Sequence, residues 1–225
     1  MSERLIYLPL GGAGEIGMNA YVYGYGQPGR ERLILVDLGV TFGDMDSAPG
    51  IDLIMPDVRW LEDNRDRLEA IFITHGHEDH VGALGLLWNR LRAPVYTRRF
   101  TGALARMKME EAGQPVDKLR IVSARPEVVE AGPFRVQFVP VSHSIPESAA
   151  LIIDTPAGRI VHSGDFKLDG TPVVGEAFDP ILWHEIAGET PITALMCDST
   201  NAMRDGVSPS EEEVAASLTE VIGNV

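Results

Sequence analysis

Apolar residues recur in short runs separated by glycine, proline and charged turns, and most runs read as strands that feed into loops. Leu5–Leu10 is a strand stopped by Gly11-Gly12-Ala13-Gly14. Ala20–Tyr25 and Arg32–Val36 follow, with Gln27-Pro28-Gly29 where a hairpin turn falls, and Asp37 stands at the tip of the third strand. Residues 41–59 lack periodicity and read as a long loop. Trp60–Leu68 reads as a short charged helix, and Ala70–Thr74 as a buried strand that runs directly into His75. Leu84, Leu87, Trp88 and Leu91 then fall at i, i+3, i+4 and i+7, the apolar stripe of a helix. A second helix is predicted over Gly102–Ala112, with Thr101 as N-cap and Gly113 just past its end.

The later strands deliver chemistry at their ends. Phe134–Pro140 leads to His143. Ala149–Asp154 and Arg159–Ser163 form a hairpin turning at Thr155–Gly158, and the second of them leads to Asp165. Ala194–Cys197 leads to Asp198. Ser210 and Glu213 make a capping box for a helix bearing Val214, Leu218, Val221 and Ile222 on one side. That helix either docks on the domain or opens further structure beyond it, and the sequence favours the second reading, a longer protein cut short.

Composition narrows the class. The 225 residues carry 33 acidic and 19 basic side chains, a formal charge of −14, and 44% are hydrophobic. This is a globular chain of one domain or slightly more, with no sign of disorder or a disulfide scaffold. The single cysteine, Cys197, cannot pair internally, which points to a reducing, cytoplasmic setting. No apolar run approaches the ~20 residues of a membrane span, and Met1–Tyr7 lacks the layout of a signal peptide. The acidity argues against a broad basic surface for nucleic acid, so any polyanionic substrate must be attracted locally.

The local attraction is visible at His75-Gly76-His77-Glu78-Asp79-His80, where three histidines and an aspartate cluster between a strand and a helix. Imidazole and carboxylate are the usual ligands of zinc and similar ions. His75 and His77, two apart on an extended loop, can hold one ion, and Asp79 and His80, past the turn, can reach a second. A lone histidine is more often structural, but a cluster at a strand end is hard to explain that way. His143 and Asp165 sit after strands of their own and complete a candidate set.

The stretch Thr74–Gly82 resembles the H-x-H-x-D-H signature of the metallo-β-lactamase superfamily. Gly11–Asn19, Asp37–Gly39, Pro49–Asp52, Ser142–Ser148, His162–Lys167 and Cys197–Asn201, in this order, resemble its β-CASP ribonuclease branch, and within it the ribonuclease J family. The resemblance implies an α+β fold, a four-layer αββα sandwich, holding two metal ions, usually zinc. Carried over by position, His75, His77 and His143 bind one ion, Asp79 and His80 the other, and Asp165 bridges them. Manganese or magnesium are alternatives to zinc. Asp79 and Asp198 are the implied catalytic residues, Asp198 assisting the leaving group, and Asp37 orients the metal loop. The implied reaction is hydrolysis of RNA by a metal-bound hydroxide, as 5′-to-3′ exonuclease and endonuclease, in messenger RNA decay and ribosomal RNA maturation. RNA is the implied partner, no membrane is involved, and the full-length enzyme is expected to be a homo-oligomer.

The same resemblance makes residues 1–200 the N-terminal portion of the metallo-β-lactamase domain and 201–225 the start of a truncated β-CASP domain. The sandwich would then lack its C-terminal return segment and the last histidine of the second site. That site is expected to be weak or empty, and the 225-residue chain weakly active or inactive. Met18 stands where the family commonly has lysine, and Met203–Gly206 replaces a different charged run. His162 and His184 carry no motif and are read as structural or surface residues. Two other readings stay open: a thioester or lactone hydrolase of the same superfamily, and a non-catalytic metal-binding fragment.

Overall fold

Alternation with a period of two assigns the residues of each central strand to different layers. In the computed structural model, which describes residues 2–44, 46 and 48–223, the strands build two sheets. The first contains β1 (Arg4–Gly11), β2 (Ala20–Gly26), β3 (Arg32–Val36), β4 (Leu68–Ile73), β5 (Val95–Thr97) and β6 (Leu119–Ile121), side by side in chain order. The second contains β7 (Val129–Ala131), β8 (Phe134–Pro140), β9 (Ala149–Thr155), β10 (Gly158–His162) and β11 (Ile192–Met196), in the order β11-β10-β9-β8-β7. β1, β2 and β3 pair antiparallel, whereas β3 through β6 are parallel and need crossovers. Those crossovers carry α1 (Arg59–Asp63), α2 (Glu78–Val81), α3 (Leu84–Leu91) and α4 (Arg99–Glu111). α5 (Pro180–Glu189) joins β10 to β11, which is parallel to it, and α6 (Glu211–Gly223) follows.

Leu33, Leu35, Ile71 and Ile73 face the helix layer, where they pack with Leu84, Leu87, Trp88 and Leu91 of α3. Ile34, Val36, Ala70 and Phe72, the alternate positions, face Phe138, Leu151, Ile153 and Ile160 of the second sheet. Val139, Ile152 and Val161 point out the far side, where Ile186 of α5 covers them. Helices, sheet, sheet and helix make the four-layer αββα sandwich that the resemblance implied. Among the described residues no helix is long and apolar enough to cross a membrane.

Several local expectations need correction. The predicted helix over Trp60–Leu68 is only α1 and a 3-10 turn at Arg65–Arg67, because Asn64 leaves the helical region and Leu68 already pairs with Leu33. α4 begins at Arg99 with Arg98 in the N-cap position, so Thr101 is not the cap. It lies buried in the first turn. Gly113 does take the left-handed conformation past its end, at φ +66°. Strands β5, β6 and β7, three residues each, and α5 with its Asp179 cap were not anticipated. A three-residue strand is too short to show a period. The capping box of α6 forms as expected: Glu213 accepts from the Ser210 backbone N–H at 2.8 Å, and Ser210 Oγ from the Glu213 N–H at 3.2 Å. Its apolar side is not docked on the sandwich, since Leu218 is 55% and Ile222 72% exposed.

Candidate metal centre

The site is assembled at the ends of β3, β4, β8 and β10. Asp37 follows β3 at φ +61° and is fully buried. Its carboxylate accepts the backbone N–H of Thr74 at 2.8 Å, the Thr74 hydroxyl at 2.9 Å and the His80 Nδ1–H at 2.8 Å. Since the Thr74 hydroxyl donates to Asp37, it can only accept from His75 Nδ1, 3.0 Å away. Hydrogen-bond logic therefore puts the proton of neutral His75 on Nδ1 and leaves Nε2 bare, the orientation that a ligand histidine requires. Asp37 is thus an organiser behind the centre, as the resemblance implied.

Backbone pairing holds the rest of the motif. Leu38 and Val40 donate to the carbonyls of His80 and Glu78, and Asn19 donates to that of Asp79. Gly39 must be glycine here, because a Cβ would lie 1.6 Å from the Asp79 carbonyl oxygen. His77 stays extended as N-cap of α2, and Asp79 and His80 follow inside that helix, with the His80 ring centroid 4.0 Å from that of His75.

Two groups of ligand atoms result: His75, His77, His143 and Asp165, and Asp79, His80 and Asp165, each within 4.8 Å of one another. His77 Nδ1 is 3.2 Å from His75 Nε2 and 3.1 Å from His143 Nε2. Asp165 Oδ2 lies 3.9 Å from His75 Nε2 and 3.7 Å from His143 Nε2, whereas its Oδ1 lies 3.2 Å from His80 Nε2. A tetrahedral ion with bonds of about 2.0–2.1 Å separates its ligand atoms by about 3.3–3.4 Å. The histidine spacings meet that requirement, and the residues therefore fit a divalent ion, with one carboxylate facing both positions.

Electrostatics agree. Burial pushes the His75 pKa well down, with His80, His143 and His77 adding to the effect, and burial likewise lowers His77 and His143. These three are held neutral, as ligands must be. Burial alone would raise Asp165, but the hydrogen bond from His80 and the nearby His143 and His77 hold it below the ordinary carboxylate value. Burial opposes charge on His80, yet Asp37 and Asp165 hold its pKa up at about 10.

Asp79, His80, Asp165 and Asp198 line one cleft of about 540 Å³, which the glycine-rich loop Gly12–Gly17 also lines. Asp198 Oδ1 accepts the Thr200 N–H at 2.8 Å and its hydroxyl at 2.7 Å. Asn19 plays a larger part than its place in a matching stretch suggested: its side-chain amide lies 2.9 Å from His80 Nε2 and 3.3 Å from Asp79 Oδ2. A polar residue after a glycine run was the only sequence signal for it. His162 and His184 join neither group. His184 is exposed, and His162 is buried with Nδ1 2.8 Å from the Tyr23 hydroxyl.

Burial holds the His162 pKa down from 6.5 to about 4. The unfolded chain takes up a proton there below pH 6.5, and the folded chain only near 4, so protonation favours unfolding. This contribution to stability is complete above pH 6.5 and is lost as the pH falls from 6.5 to 4. The melting temperature should fall through that window, and a His162→Gln chain should show a smaller fall. An identical pH profile for both would refute the assignment.

Residues 13–206 match the metallo-beta-lactamase superfamily. The chain is 47% identical over 227 aligned positions to ribonuclease J of Sinorhizobium meliloti, covering 99% of this chain and 39% of that protein. It is 42% identical to ribonuclease J of Corynebacterium glutamicum, covering 96% of this chain and 29% of the relative. The chain thus spans well under half the length of these curated relatives. A crystal structure of a protein of unknown function from Enterococcus faecalis V583 superposes with a TM-score of 0.66 at 21% identity, covering 97% of this chain and 57% of the other, a likeness of fold. With its ligand groups at the strand ends of an αββα sandwich, the chain belongs to the metallo-β-lactamase superfamily, and it matches ribonuclease J relatives along nearly its whole length.

Proposed function

We propose that this chain carries the metal centre of a ribonuclease of the ribonuclease J kind, which hydrolyses RNA phosphodiesters. The observation that carries the reading is Asp165, whose two oxygens face the two ligand groups. Divalent ions bound there supply concentrated positive charge and acidify water at neutral pH. That answers how a chain of net charge −14 accepts a polyanion at one place. Zinc suits the imidazole and carboxylate donors, with manganese or magnesium as alternatives.

The chain's own residues bind, orient and assist. His75, His77, Asp79, His80, His143 and Asp165 are the proposed ligands, with Asp37 and Thr74 orienting them. Asp198 is the proposed assistant to the leaving 3′ oxygen. Its position in the cleft supports this, and its bonds to Thr200 involve only Oδ1. Residues 1–200 are read as the metallo-β-lactamase portion and 201–225 as the start of a β-CASP domain. A later return segment would then supply the last histidine. Exonuclease and endonuclease action in RNA decay and maturation, a cytoplasmic location and a homo-oligomeric state are proposed for the longer protein on the same resemblance.

The described residues give one group three histidines plus Asp165, and the other only Asp79, His80 and Asp165. Zinc prefers about four protein or water ligands, and water holds the ion less firmly than a histidine does. Calorimetry on the 225-residue chain should therefore show one tight and one weak zinc site; two equally tight sites would contradict the asymmetry. The functional test uses a version extended to the relatives' length, with a 5′-monophosphorylated RNA and with thioester and lactone substrates. Zinc-dependent RNA cleavage, abolished by Asp79→Ala with RNA binding retained, is expected. Turnover of the small substrates with none of RNA would overturn the proposal.

A further inference from the structure

The loop that presents His143 contains an unusual choice of residue. Glu147 sits at φ +59°, directly after Pro146, in a turn position that glycine or asparagine occupies without strain. A glutamate there is explained by what its side chain reaches. The carboxylate accepts the backbone N–H of Phe100 in the first turn of α4 and lies 4.0 Å from the Arg98 guanidinium. Arg98 is itself nearly buried, and the same nitrogen, Nη2, donates at 2.7 Å to Glu176, from the segment that follows Asp165. α4 also presses Leu104 against the loop between His75 and His77, where a Cβ on Gly76 would lie 2.5 Å from Leu104 Cδ1. One helix therefore braces all the segments that carry the ligands of the three-histidine group.

We infer that Glu147 is a positioning residue for His143: by docking its carboxylate on the start of α4, beside Arg98, it sets the metal affinity of the three-histidine group. The inference rests on the metal-centre reading proposed above. Loss of the carboxylate frees the loop at its far side from the strand, so His143 samples orientations in which Nε2 no longer meets His77 Nδ1. The Asp79–His80 group, braced by Asp37 and Asn19, is untouched.

The experiment compares the wild-type chain with Glu147→Gly, Glu147→Asn and Glu147→Gln, by zinc affinity in chelator competition, the visible absorption of the cobalt-loaded protein, and melting temperature. Glycine and asparagine suit the backbone but cannot reach Phe100, so either serves if the other does not fold. Both should lower the tight-site affinity by roughly 10–100-fold, the usual effect of losing an outer partner of a ligand, and alter the cobalt band. Glutamine keeps an acceptor for the Phe100 N–H and should restore most of the affinity. Wild-type affinity and an unchanged cobalt band in the glycine and asparagine variants would overturn the inference, even with a lowered melting temperature. Equal loss in the glutamine variant would overturn docking as the cause. A wild-type chain that binds neither ion would overturn the metal-centre reading itself, which is a separate and distinguishable result.

Discussion

An Asp165→Ala chain is expected to hold at most one divalent ion, and to hold it weakly. Asp165 is the one member common to the two ligand groups, with Oδ2 toward His75 and His143 and Oδ1 toward His80. Its removal leaves three neutral imidazoles on one side, and Asp79 with His80 on the other. Losing an outer partner of a ligand already weakens metal binding by roughly 10–100-fold. Losing a shared, charged, direct ligand should exceed that at both positions. Asp165→Asn keeps the shape and one oxygen but not the charge, so the tighter site should survive in it and the weaker one should not. Metal content after gel filtration, with chelator competition, measures both effects. Two ions retained at wild-type affinity would remove Asp165 from the centre.

The largest effect on folding is expected at Asp37, which never touches the cleft. Its fully buried carboxylate is the acceptor for the Thr74 N–H, the Thr74 hydroxyl and His80 Nδ1. Asp37→Ala leaves all of these buried donors without a partner, and removes the carboxylate that pairs with His80, itself 2% exposed on its side chain. Breaking a buried pair by deleting one partner typically destabilises by about 3–5 kcal/mol. Metal affinity should fall with it, because the proton on His75 Nδ1 is fixed through Thr74 and that on His80 through Asp37 itself. Asp37→Asn keeps one acceptor oxygen but turns an NH2 toward other donors, so an intermediate loss is expected. Urea denaturation of the metal-free chain is the measurement. A change below about 0.5 kcal/mol, the scale of an ordinary surface substitution, would show that the buried network carries no weight.

The candidate ligand set was legible in the primary structure because it is mostly local. His75, His77, Asp79 and His80 lie within six residues, and no folding is needed to see that they can share ions. His143 and Asp165 were found from their places after alternating strands, whose period of two shows where a strand stops. The layered fold was implied only by the resemblance of the motifs to a known superfamily, and the burial of Leu33 and Leu35 on one face and Ile34 and Val36 on the other became visible in the structure. Amphipathic α3 and the capping box of α6 were plain in the sequence, since each depends on contacts within one helix.

What depends on distant partners was not legible. Thr101 carried the right chemistry for an N-cap, yet α4 starts at Arg99 and takes its acceptor from Glu147, a residue from another loop. Propensity yields to a tertiary hydrogen bond there. The three-residue strands form because neighbouring strands supply pairing partners, not because their own sequence demands it. Asn19 reaches Asp79 and His80 across about sixty residues, and Asp165 divides its oxygens between two groups only once β4 and β10 lie in facing sheets. The sequence by itself therefore determined which donor atoms this protein can offer a metal, and the strand ends that carry them. The tertiary structure alone decided how they converge, because convergence is a matter of distances of about 3 Å between side chains on separate elements, and packing sets those distances.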